Sequence, residues 1–145
     1  MKNKLLINFI TFVLIFIGSN LKAETIFFDS KNIKIEENGN MIFATKGQAK
    51  IPSSNLIIEG DKFIYDKINY ELIVIDNVKY FDNENNMYIE SDKIIYNEVN
   101  NTIFSKSETF IKSENDYEIK SIDVLYNRNL NKILSNKYTS VNDKN

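Results

Sequence analysis

The feature that most limits how this chain can fold is an internal repeat. Four stretches align with one another: Phe28-Asp29-Ser30-Lys31-Asn32-Ile33-Lys34-Ile35, Ile58-Glu59-Gly60-Asp61-Lys62-Phe63-Ile64-Tyr65, Ile89-Glu90-Ser91-Asp92-Lys93-Ile94-Ile95-Tyr96 and Ile119-Lys120-Ser121-Ile122-Asp123-Val124-Leu125-Tyr126. They recur every 30, 31 and 30 residues. Seven residues after each closing Ile or Tyr a second apolar segment begins, at Ile42-Phe43, Leu72-Ile73, Ile103-Phe104 and Ile133-Leu134, in the same register. Two landmarks holding one period define four copies of a single unit, and units of this length bury their apolar face by stacking on each other.

Within each unit apolar residues alternate instead of recurring every three or four positions, and they are mostly Ile, Val, Phe and Tyr. That pattern predicts strands, eight or more, and no helix in the repeat region. The alternation changes parity inside the first segment of each unit, since Ile58 and Phe63 differ in parity yet both belong to the apolar set. A small residue precedes the change each time, Ser30, Gly60, Ser91 and Ser121, which predicts a bend or bulge that carries one strand around a corner. Polar connections join the two segments of each unit: Glu37-Asn38-Gly39-Asn40, Asp66-Lys67-Ile68-Asn69, Glu98-Val99-Asn100-Asn101 and Arg128-Asn129-Leu130-Asn131. Asn38-Gly39 is a hairpin signal, because both residues accept positive φ. Longer polar joints, at 52–55 and 82–86, separate units. A jelly roll and a β-solenoid both satisfy the pattern; the parity changes and hairpins favour the jelly roll.

The first residues read differently. Lys2 and Lys4 precede an apolar run from Leu5 to Ile17, followed by Gly18-Ser19-Asn20-Leu21-Lys22-Ala23. This order predicts a secretory signal peptide over 1–23, cleaved after Ala23, and one domain over 24–145. The run falls short of the roughly 20 residues that span a bilayer core. No Cys stands near the cleavage point for lipid attachment. Taking three lysines from the 18 basic residues leaves 15 against 20 acidic ones, a balance that disfavours nucleic acid as a partner.

Residue types leave little room for catalysis. The chain holds no His and no Cys, and its four glycines are scattered, so Ser-His-Asp and Cys-His arrangements, thiolate metal sites and Gly-rich phosphate loops are excluded. Asp61 and Asp92, with Glu59 and Glu90 two residues earlier, are read as acids that cap turns beside the bend, in preference to a calcium site. Tyr65, Tyr96 and Tyr126 are read either as strand-closing residues with the ring in the core and the hydroxyl at the edge, or as a column that touches ligand. No cofactor and no metal are expected.

The recurring order of small residue, Asp, three residues, Tyr and then Asp or Asn, followed by a turn and an apolar pair, resembles the organic-solvent-tolerance A (OstA-like) family. This is the repeat of lipopolysaccharide-transport proteins of the LptA type and of the N-terminal periplasmic domain of LptD. The matching stretches are 60–66 and 91–97, with joints at Ala44-Thr45-Lys46-Gly47-Gln48-Ala49 and Ile75-Asp76-Asn77-Val78; the resemblance spans roughly residues 26–141. The fourth unit departs from it, with Ile122 where the second and third units have Asp and Asn136-Lys137 in place of a Gly-containing joint.

The resemblance implies an open β-jelly roll in the periplasm of a Gram-negative-type envelope. Its apolar groove would shield the acyl chains of lipopolysaccharide, and it would join edge to edge with other jelly-roll transport components. It implies a groove lined by Ile33, Ile35, Phe43, Ile58, Phe63, Tyr65, Ile73, Ile89, Ile94, Tyr96, Phe104, Val124 and Tyr126. The chain is too short to be the outer-membrane barrel itself, which needs hundreds more residues. A stacked-β interaction protein with a filled core and no lipid is the alternative, and an enzyme is disfavoured.

Overall fold

The computed structural model describes residues 25–113 and 117–143; the signal-peptide reading lies outside them. The described chain is all-β: β1 (Phe27–Glu36), β2 (Met41–Ile51), β3 (Leu56–Asp66), β4 (Glu71–Asp82), β5 (Met87–Asn97), β6 (Thr102–Ser105), β7 (Thr109–Lys112), β8 (Glu118–Ser121), β9 (Val124–Asn127), β10 (Lys132–Ser135) and β11 (Ser140–Asn142). They form one antiparallel sheet that does not close into a barrel, an open β-jelly roll.

The long strands β1 to β5 each turn a corner near their middle. Pairing between β3 and β4 slips between Glu59 and Lys62, and between β4 and β5 it slips from Ile75 to Val78. Lys46, Asp76, Asn77 and Asp123 take positive φ at the same level. The corner lets both Ile58 and Phe63 point inward, at 0% and 1% exposure, despite their opposite parity. Two glycines, Gly47 and Gly60, stand where a side chain would collide. A Cβ on Gly60 would strike Val74 Cγ1, and one on Gly47 would meet the backbone of Asp29 and Ser30. Beyond β5 the strands break outright at the corner, and hydroxyl groups fill the gap. Ser91 bonds Ser105 at 2.8 Å and Thr109 bonds Ser105 at 2.9 Å; one repeat later Ser121 bonds Ser135 and Thr139, both at 2.8 Å.

The corner divides the sheet into two halves. Half-sheet I contains residues 32–36, 41–45, 62–66, 71–75 and 93–97 with β6, β9 and β10. Half-sheet II contains 27–30, 47–51, 56–60, 78–82 and 87–91 with β7, β8 and β11. The halves fold over each other. Phe28 of half II meets Phe63 of half I edge-on, with ring centroids 6.0 Å apart, and Tyr80 of half II meets Tyr126 of half I at 6.4 Å. Between them lies the apolar core, with Ala44, Val74, Ile94 and Val124 on one side and Ala49, Tyr80, Ile89 and Ile111 on the other.

Turns close the units in a uniform way. The residue just before the next strand is left-handed at Asn55, Tyr70, Asn86, Asn101 and Asn131, and Gly39 has a φ of 94°. Asn tolerates this region better than other side chains, so much of the asparagine in the sequence has a conformational task. Acids and amides at strand ends cap the turns: Asp66 accepts from the Ile68 and Asn69 amides, Asn97 from Asn100 and Asn127 from Leu130. Neighbouring turns then bond to each other, Lys67 N–H to Asn40 O, Glu98 N–H to Tyr70 O and Arg128 N–H to Asn101 O. The stack therefore continues past the ends of the strands.

Candidate functional site

Folding one half-sheet over the other gives the interior a closed side at the corner and a mouth opposite it. The strand ends and turns of both halves form the lips of the mouth. Inner-face rows run across the strands. Ile35, Ile42, Tyr65, Leu72, Tyr96, Ile103, Tyr126 and Ile133 lie opposite one another in register from β1 to β10. In half II the row nearest the mouth reads Ile51, Leu56, Asp82 and Met87, so one carboxylate stands in an otherwise apolar line.

That carboxylate is fully buried and meets the chain's single arginine. Arg128 lies two residues past Tyr126 and reaches across the mouth from half I. Its Nε is 2.7 Å from Asp82 Oδ2 and its Nη2 3.2 Å from Oδ1, a bidentate pair with side-chain exposures of 5% and 0%. Arg128 Nη2 also donates to Ser54 O and to Glu84 Oε2, both at 2.6 Å. Tyr126 Oη donates to Asp82 at 3.2 Å. Asp82 further accepts from the Glu84 and Asn85 amides and from Asn85 Nδ2, bonds that belong to its own turn. Burial alone would raise the Asp82 carboxyl, but the bonds from Arg128 and Asn85 outweigh it and hold the carboxyl below its ordinary value. Beside this cluster the Tyr80 hydroxyl is buried with no hydrogen-bond partner among the described residues.

Neither the protein-family models nor the curated proteins contain a match to this chain.

Eight of the thirteen residues expected to line a groove are on the inner face and buried: Ile58, Phe63, Tyr65, Ile89, Ile94, Tyr96, Val124 and Tyr126, all at 5% exposure or less. Ile33 and Ile35 share that face, opposite Ala44 and Ile42, but stand on the edge strand and are 50% and 63% exposed. Phe43, Ile73 and Phe104 are corrected. They sit opposite Ile64, Ile95 and Leu125 in a half-buried row on the outer face of half I, while their neighbours Ile42 or Ala44, Leu72 and Ile103 turn inward. The three tyrosines close their strands with rings in the core and hydroxyls at the mouth, Tyr96 Oη donating to Asn101 and Tyr126 Oη reaching Asn131 and Asp82. Asp61 accepts a bond from Asn77 Nδ2 across the corner, and the backbone-capping carboxylates of the turns are Asp66 and Asp82. Among the described residues no cluster of acids has the makings of a metal site. Asp82, Tyr80 and Arg128 were not singled out by pattern; the one signal they offered was that a chain with 18 basic residues contains a single arginine.

Proposed function

We propose that this chain is an exported, non-enzymatic module that shields the acyl chains of lipopolysaccharide in the periplasm and passes them on by joining edge to edge with other jelly-roll transport components. The observation that carries the reading is the unclosed sheet. Because among the described residues neither β1 nor β10 pairs on its outer side, the apolar interior reaches the surface at both ends of the stack. At the β1 end inner-face Ile33 and Ile35 are exposed; at the other end inner-face Ile119 and Ile133 are half-buried.

Burial is the whole of the chemistry such a carrier needs. Acyl surface of several hundred to a thousand Å² left in water costs tens of kcal/mol at about 25 cal/mol per Å². An interior of Ile, Leu, Val and ring faces removes that cost without a covalent step, and a neighbour offering the same interior takes the chains over at little net free energy. The unpaired backbone of β1 and of β10 and β11 is a template on which a neighbour's strand can extend the sheet, so that one interior continues into the next.

A second reading has its own observation. In β3 to β7 and in β9 the inward apolar side chains are packed against each other at 0–5% exposure, which favours a structural stacked-β module with a filled core. The two separate in cells by placing a photo-crosslinking amino acid at Phe63, Ile94 or Ile35, with exposed Lys67 as control. Capture of lipopolysaccharide at the apolar positions and not at Lys67 supports the carrier. No capture from folded, exported protein supports the filled module.

A further inference from the structure

At the mouth of the jelly roll a buried carboxylate is surrounded by donors from both half-sheets. Around the Asp82 carboxylate converge Nε and Nη2 of the Arg128 guanidinium, the Tyr126 hydroxyl and the Asp82 turn's own donors. The Arg and the Asp come from opposite half-sheets, 46 residues apart in sequence, so their bond spans the opening. Directly behind it the tyrosine rings and the apolar rows begin. The Tyr80 hydroxyl supplies one more buried donor with nothing to bond among the described residues.

We infer that the Arg128–Asp82 pair is a displaceable latch: the phosphate or carboxylate head of an anionic amphiphile takes the place of Asp82 on Arg128, and the half-sheets part to admit its apolar chains. The inference rests on the carrier reading and names the part of the ligand that opens the site. A guanidinium pairs with a phosphate in the same two-pronged geometry as with a carboxylate, so the exchange replaces one strong bond by another. An uncharged head offers no such replacement, and opening would leave Arg128 without its buried counter-ion. Asp82 tolerates the exchange because the bonds from the Glu84 and Asn85 amides and Asn85 Nδ2 travel with its own turn. Tyr80, now unsatisfied, gains an acceptor when an anion enters. Glu84, 66% exposed and bonded to the same guanidinium nitrogen, keeps the released arginine at the lip.

The chain has no cysteine, so the lips can be labelled without background. Nitroxides on cysteines replacing exposed Ser53 and Leu130 report the width of the mouth by pulsed electron resonance. Dodecyl phosphate is expected to widen the distance, while dodecyl maltoside, with the same chain and no charge, and inorganic phosphate, with no chain, leave it unchanged. Asp82→Asn, which removes the internal competitor, should tighten dodecyl phosphate binding by roughly tenfold. The labelled chain with Asp82 intact carries the test if that variant folds poorly. Equal widening by both detergents overturns the latch. Absence of widening with lipopolysaccharide still captured at Phe63 overturns the latch and leaves the carrier standing; absence of both overturns the two together.

Discussion

Arg128 and Asp82 bond the two half-sheets to each other across the mouth. Removing one partner strands the other in a dry site, so Arg128→Ala is expected to cost about 3–5 kcal/mol in urea unfolding. A loss below about 1 kcal/mol would mean that the mouth is already wet. The pH dependence follows from the same bond. Because the native Asp82 carboxyl lies below its ordinary value, its stabilising contribution is complete above the unfolded value of about 4 and is lost as pH falls through the native one. Thermal melts of the parent chain should therefore drop as acid is added below about pH 4, and those of Asp82→Asn should drop less. A backbone effect acts at Tyr70, which takes positive φ where four other turns have Asn55, Asn86, Asn101 and Asn131. Left-handed backbone costs such a side chain about 1–2 kcal/mol, so Tyr70→Asn is expected to stabilise the chain in the same assay. A loss of stability would show that the half-buried ring contributes more than the strain it carries.

The strands were readable from sequence to the extent that their alternation was unambiguous. In the first segment of the second, third and fourth units the outward parity beyond the corner holds one apolar residue, Ile64, Ile95 or Leu125, between polar ones, and the inward parity is apolar throughout; the change of parity at Gly60 or Ser91 located the bend where the β-bulges lie. In the second segment both parities are apolar, as in Ile42-Phe43, Leu72-Ile73 and Ile103-Phe104. Alternation then cannot say which member turns inward, and only pairing with β3, β5 and β9 decides it. This is why Phe43, Ile73 and Phe104 were placed on the wrong face while Phe63 and Ile94 were not. The mouth was harder to read still, since Asp82 and Arg128 each sit in a polar turn and become partners only when the half-sheets fold together. The correction has a measurable form. Leu72→Ala should cost about 2–5 kcal/mol as a core truncation, and adjacent Ile73→Ala well under that. Equal losses would contradict the assigned faces. At the corner, Gly47→Ala should destabilise by about 1–3 kcal/mol, because a Cβ there meets backbone that cannot swing away.

At the scale of the molecule, four stacked units give a sheet with a packed middle and two unfinished ends. The edge strand β1 exposes Phe27, Ile33 and Ile35, and the opposite end exposes Leu134 and Val141. Asp at Ile33 or Ile35 removes little packing and should change stability by no more than about 0.5 kcal/mol. The same change should weaken end-to-end association in sedimentation velocity if edge pairing is how the units join. If the interior takes acyl chains, native mass spectrometry of the folded domain mixed with lipopolysaccharide should show a complex of one chain with one lipopolysaccharide molecule that disappears when the lipid is deacylated. A spectrum holding only the free chain, or a complex that survives deacylation unchanged, would contradict it.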